Sequence, residues 1–145
     1  MVEIQITYDG SLRCTATHGP SGATLNTDAP KDNMGRGEAF SPTDLVATAL
    51  GTCMLTLMGI TAQKHNIDLS GARAKVIKEM ATQPYRRIGK LAVELHAAQV
   101  SSEDDQRRLQ ASAMTCPVHK SLHPDVQIPV TFHWAGGKVT RAADH

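Results

Sequence analysis

Cys53 and Cys116 are the residues of this 145-residue chain whose type and setting could do chemistry. The first lies in the apolar run SPTDLVATALGTCMLTLMGITAQKHN, residues 41–66; the second begins CPVHKSLHP, which also holds His119 and His123. A thiol acts as a nucleophile or redox group only as thiolate. Its ordinary pKa of about 8.5 falls beside a cation or a helix N-terminus and rises in apolar burial. Cys116 precedes Pro117, a residue suited to the first helical position, so it stands where an N-cap would be and is read as the better activated of the two. Cys53 stands inside a helical pattern, where a lone cysteine behaves as a small buried hydrophobe. To act as a reagent it would need help from outside its own helix. Arg36 and Glu38, on the loop that feeds the helix, are the nearest charges in sequence.

Other chemistries find less support. Cys116, His119 and His123, with Cys53 as a fourth ligand, could hold a metal, but no second closely spaced ligand pair accompanies them, and no metal is expected. There is no Gly-rich phosphate loop, no paired acid and base, and no Gly-x-Ser-x-Gly elbow, so no cofactor is expected either. Cys14, in an alternating segment, reads as structural, and the methionines as gap-fillers of the core.

The elements that must position the two thiols are well signalled. EIQITY and LRCTATH alternate at period two across the turn dipeptide Asp9-Gly10, and ATLNTD follows as a third strand. Residues 29–40 hold Pro30, Gly35 and Gly37 and form a loop. Ser41, Pro42 and Asp44 make a capping box at the start of a long helix. In it Leu45, Ala49, Cys53 and Leu57 recur every four residues, flanked by Val46, Leu50, Met54 and Met58, placing Cys53 on the most apolar side; the helix fades near Lys64, His65 and Asn66. ARAKVIKEMA and RRIGKLAVELHA read as two longer strands joined by TQPY. SSEDDQRRLQASAMT reads as a second helix with acidic residues on its first turn. Cys116-Pro117 opens a one-turn helix, VQIPVTFHWA is a last strand, and residues 136–145 are expected to fray. Strands, helix, strands, helix, strand is an α+β order.

Composition sets limits around this frame. The length suits one domain, residues 1–145, and 3% aromatic residues leave a thin core that burial between subunits would help. Fifteen basic residues against 14 acidic ones, spread along the chain, give no basic stripe, so neither nucleic acid nor a membrane surface is an expected partner. The longest apolar run is interrupted by Thr48, Thr52 and Thr56 and falls short of the roughly 20 residues a bilayer needs. Three widely separated cysteines suit a reducing compartment. A cytoplasmic protein is expected.

SPTDLVATALGTCM followed at a distance by a cysteine in TCPVHKSL resembles the OsmC/Ohr family, the osmotically inducible and organic hydroperoxide resistance proteins, and sits nearest its broad OsmC-like branch. The resemblance covers nearly the whole chain. It implies antiparallel sheets around long central cysteine-bearing helices and an interleaved homodimer with two equivalent sites. It further implies that Cys53 is the peroxidatic thiolate and Cys116 the resolving thiol, that the substrate is an organic hydroperoxide, and that an external thiol or dithiol is the reductant. The hydroperoxide-resistance branch has a glutamate directly after the proline that opens the helix and an arginine before the first Asp-Gly; here Thr43 and Tyr8 stand in those places. An arginine from the loop before the helix, as in the osmotically inducible branch, corresponds to Arg36 with Glu38, and Arg13 is the reserve. The missing pair leaves a second expectation open: a relative that binds a small ligand or senses oxidants with little turnover.

Overall fold

The computed structural model describes residues 1–143. Its contacts divide the chain into two compact units, Met1–Val46 and a second beginning at Ala47.

The first unit opens with the expected meander: β1 (Ile4–Gly10), β2 (Arg13–His18) and β3 (Thr24–Asp28), antiparallel in that order. The hairpin turn is not Asp9-Gly10 as expected but Ser11-Leu12, both with positive φ (52° and 62°), the twist that suits a two-residue hairpin. Asp9 stays in the strand because its carboxylate accepts a hydrogen bond from Thr15 Oγ1 at 2.6 Å. The ladder absorbs it as an irregularity between Tyr8 and Gly10. The loop that follows is folded tightly. A 3-10 turn at Lys31–Asn33 ends on Met34 at φ 67°, and at Gly35 a Cβ would lie 1.7 Å from the carbonyl oxygen of Ala29, so only glycine fits there.

Helix α1 (Pro42–His65) begins with the capping box read from the sequence. The Ser41 amide donates to Asp44 Oδ2 at 2.9 Å and the Asp44 amide to Ser41 Oγ at 3.1 Å. At its other end Asn66 takes a left-handed φ of 53°, and the amide of Ile67 donates to Ala62 O at 2.9 Å.

In the second unit β4 (Arg73–Ala81), β5 (Arg87–Ala97), β6 (Val130–Trp134) and β7 (Val139–Arg141) form one sheet in that order. The sheet is antiparallel except at β5–β6, which pair parallel, with Leu95 opposite Phe132 and His96 opposite His133. The parallel pair requires a crossover, and α2 (Glu103–Ala113) and α3 (Pro117–Ser121) supply it. Alternation puts Leu91, Val93, Leu95, Val130, Phe132 and Trp134 on the buried face. Helix α1 presses on β4 at Gly51, where an added Cβ would meet Val76 Cγ2 at 2.9 Å.

Three expectations are revised. The stripe of α1 that packs into the core is Ala47, Leu50, Gly51, Met54, Met58 and Ala62, not the Leu45–Ala49–Cys53–Leu57 line. Cys53 is half-buried on the flank. The line was misplaced because α1 is apolar on nearly every side, so periodicity alone does not choose a face.

The apolar run does not fall short of a bilayer's span as expected. Thr52 Oγ1 donates to Thr48 O at 2.7 Å and Thr56 Oγ1 to Thr52 O at 2.8 Å, so their hydroxyls are satisfied inside the helix. By length and composition alone α1 could cross a membrane. Core helices of folded domains meet the same test, and α1 has a fully buried stripe.

Residues 136–141 are ordered structure rather than a frayed end. Gly136 and Gly137, at φ 68° and 77°, turn the chain back, and β7 pairs with β6. Trp134 Nε1 then donates to Thr140 Oγ1 at 2.8 Å, and Thr140 Oγ1 to Gln110 Oε1 of α2 at 2.9 Å. The glycine pair was a turn signal. Residues 144 and 145 lie outside the described residues.

Candidate active site

Helix α1 and the N-terminus of α3 bring Cys53 and Cys116 together. The two thiols are near enough for Cys53 to act directly on Cys116, and neither is in a disulfide. Cys53 sits in the fourth turn of α1, held by the Leu50–Met54–Met58 stripe that anchors the helix in the core. Cys116 is fully buried and caps α3 as its place before Pro117 required, its sulfur accepting the amide of His119 at 3.4 Å. Of the residues named for redox chemistry, these two meet across the longest sequence separation, within one unit.

Cys116 is not the activated thiol that its place before Pro117 suggested. Burial pushes the Cys116 thiol above its ordinary pKa; the neighbouring Cys53 thiol pushes the same way, and the amides of His119 and Val118 only partly oppose this. A short helix offering a few amides cannot offset removal of the sulfur from water. Cys116 thus holds its proton more firmly than an ordinary thiol.

A stability effect follows. The folded chain holds this proton more tightly than the unfolded chain, so the stability that Cys116 contributes is full below about pH 8.5 and is lost as pH rises through its higher folded value. Urea midpoints of the reduced protein should therefore fall on going from about pH 7.5 to about pH 10. The fall should be smaller for Cys116→Ala; an equal fall in both would show that this thiol is not the group responsible.

His119 and His123 do not join Cys116 as a ligand cluster. His123 is 68% exposed, its Nδ1 accepting the Asp125 amide at 3.2 Å.

In the first unit, the charges named for the thiol's support form a cluster of their own. Glu38 pairs with Arg13, the reserve arginine, and Arg13 also lies 3.6 Å from Asp28. Asp28 is a buried carboxylate that accepts the Glu38 amide at 3.0 Å. The hydrogen bond and charge of Glu38, and then the charge of Asp28, hold the Arg13 guanidinium protonated even more firmly than usual. Arg36 lines a cleft of about 390 Å³ with Arg13, Cys14, Asn26 and Thr27. The two arginines thus share one cleft, and Arg13 is the one fixed by carboxylates. Sequence reasoning underrated Arg13 because its partners, Asp28 and Glu38, come from the end of β3 and the loop beyond it. Its position directly opposite Asp28 in the β2–β3 ladder was the available signal.

The stretch that carries the thiol pair, on one long helix and one short one, is matched by a family model. The model for "OsmC-like protein" covers residues 35–131, which include both cysteines. The chain belongs to the OsmC-like family. Its fold agrees with solved OsmC-like structures. A provisional osmotic stress induced and detoxification response protein from Psychrobacter arcticus is 45% identical, with a TM-score of 0.85 over 92% of this chain and 96% of that one. The OsmC-like protein of Mycoplasma pneumoniae is 18% identical, with a TM-score of 0.78 over 93% and 97%. The organic hydroperoxide resistance protein OhrB of Bacillus subtilis is 16% identical, with a TM-score of 0.65 over 91% and 97%. Among curated proteins none matches the sequence. For an OsmC-like chain, Thr43 follows the helix-opening Pro42 and lies within the capping turn, its Oγ1 3.1 Å from Ser41 Oγ. No carboxylate stands at that position.

Proposed function

We propose that the protein is a thiol-dependent peroxidase that reduces organic hydroperoxides in oxidative-stress defence, with Cys53 as the peroxidatic and Cys116 as the resolving thiol. The observation that carries this reading is that two free thiols from distant parts of the sequence lie close enough for Cys53 to act directly on the Cys116 proton. Cys53 thiolate attacks the distal peroxide oxygen: the S–O bond forms, the O–O bond breaks, and the alkoxide leaves as the alcohol after taking a proton. Cys116 then attacks the sulfur of the resulting sulfenic acid. A disulfide forms, and the hydroxyl departs with the Cys116 proton as water. An external thiol or dithiol returns both cysteines to the reduced state by exchange and is itself oxidised; no bound cofactor or metal takes part. A resolving thiol that stays protonated until the sulfenic acid forms suits this order, and the half-buried position of Cys53 leaves the first step to the more accessible sulfur.

The guanidinium that favours the Cys53 thiolate is proposed to come from Arg36 with Glu38, or from Arg13 in its ion pair with Glu38. Ala49 and Leu57, one turn either side of Cys53, give its flank an apolar character that suits an alkyl group better than water. The working form is proposed to be a cytoplasmic homodimer. Support comes from a helix apolar on nearly every side that leaves Ile60 exposed, and from exposed Ile4, Ile6 and Tyr8 on β1.

Steady-state turnover with dithiothreitol as reductant tests the reading. Cumene hydroperoxide should be reduced at least about tenfold faster than hydrogen peroxide at equal concentration, since one or two methylenes' worth of apolar contact is worth that much. Arg13→Ala or Arg36→Ala should lower the rate. A faster rate on hydrogen peroxide would exclude organic hydroperoxides as the substrate class. A thiol pair that is oxidised once and turns over no further would favour the oxidant-sensing alternative.

A further inference from the structure

We propose that the face of the four-stranded sheet turned away from α1 carries a site for one divalent metal ion of the zinc type, held by Glu94, His96 and His133. Strand register builds the cluster. His96 of β5 is directly opposite His133 of β6, and Glu94, two residues before His96, projects from the same face. Leu95 and Phe132, between them in sequence, are buried on the other face.

The two imidazoles stack with ring centroids 4.3 Å apart and 6° between planes. A Glu94 oxygen lies 3.6 Å from His96 Nε2. One ligand atom from each of the three residues lies within 4.8 Å of the other two. Metal–nitrogen bonds of about 2.0–2.1 Å need donors somewhat closer than that. The broad terminal torsions of histidine and glutamate can supply the difference.

Three features point to an ion rather than to a packing accident. His133 Nε2 is buried without a hydrogen-bond partner, a state that polar atoms of folded proteins rarely keep and that points to an unrecorded ligand. The two rings stack in parallel, an arrangement that suits neutral imidazoles, the form a metal binds. Two imidazoles and a carboxylate are a donor set for zinc, iron(II), cobalt or nickel, with positions left for water.

Solvent reaches the cluster past Glu94 and His96, whose side chains are 36% and 22% exposed. Lys75, 3.8 Å from the same Glu94 oxygen, is the cation that an incoming ion replaces, and Arg73 is the other positive group acting on the cluster. The site is separate in sequence and chemistry from the cysteine pair and does not depend on the peroxidase reading.

Titration of the chelator-treated full chain with cobalt(II), followed in the visible and near ultraviolet, tests the site. The expected result is saturation at one equivalent per chain. Bands should be of nitrogen and oxygen ligation, with no thiolate-to-metal absorption, and zinc(II) should displace the cobalt. His133→Asn and the more exposed Glu94→Gln should each weaken binding at least about tenfold, with metal-free melting curves showing that each variant is folded. Absence of saturable binding overturns the proposal. So does a thiolate band that disappears in Cys116→Ser, or affinity unchanged in both His133→Asn and Glu94→Gln.

Discussion

Replacement of Cys53 by serine should lower hydroperoxide turnover by at least about a thousandfold, the scale on which loss of a covalent nucleophile is felt. Replacement of Cys116 should act differently. In Cys116→Ser the first step survives, because attack on the peroxide needs only the Cys53 sulfur, so one equivalent of alcohol should be released in a burst. The protein should then stop as a Cys53 sulfenic acid that dimedone labels, since the neighbouring resolving sulfur is gone. A small monothiol in the assay should restore part of the turnover to Cys116→Ser and none to Cys53→Ser. Equal loss in both variants, with no burst in either, would mean that the two cysteines do not divide the roles in this way.

The second large effect is on stability. Leu50 is fully buried on the α1 stripe with Met54 and Met58, on a helix that presses on β4 at Gly51. Truncation to alanine removes buried methyl groups from a face where the backbone cannot close in. It should cost about 2–5 kcal/mol, read as a urea midpoint lowered at unchanged slope. With only two phenylalanines and one tryptophan in the chain, few large side chains are available to refill the space. A change under about 0.5 kcal/mol would put Leu50 on a surface instead.

Much of this was legible in the residues themselves. Ser41, Pro42 and Asp44 announced the start of α1, and their reciprocal hydrogen bonds have the expected geometry. Period-two alternation gave β4 and β5, and the place of Cys116 before Pro117 gave the cap of α3. What local sequence could not supply was anything decided by contact. An evenly apolar helix does not reveal which stripe is buried. The effect of burial on Cys116 outweighs the helix amides that suggested activation, and burial is a property of the fold. Arg13 acquires its carboxylates through a strand ladder and a loop, and the Gly136-Gly137 turn makes sense only once Thr140 is seen to accept from Trp134. Glu94, His96 and His133 come together only through a parallel register, which an antiparallel expectation would not suggest.

The central claim is that Cys53 and Cys116 act as one redox unit. The most direct measurement adds one equivalent of cumene hydroperoxide to the reduced protein and follows intact mass and the digested peptides under non-reducing conditions. The expected result is a loss of about two mass units, with the peptides of Cys53 and Cys116 joined by a disulfide formed during oxidation. Cys14 should remain a free thiol. A Cys53 still reduced under excess hydroperoxide, or a disulfide that joins Cys14 instead, would contradict it.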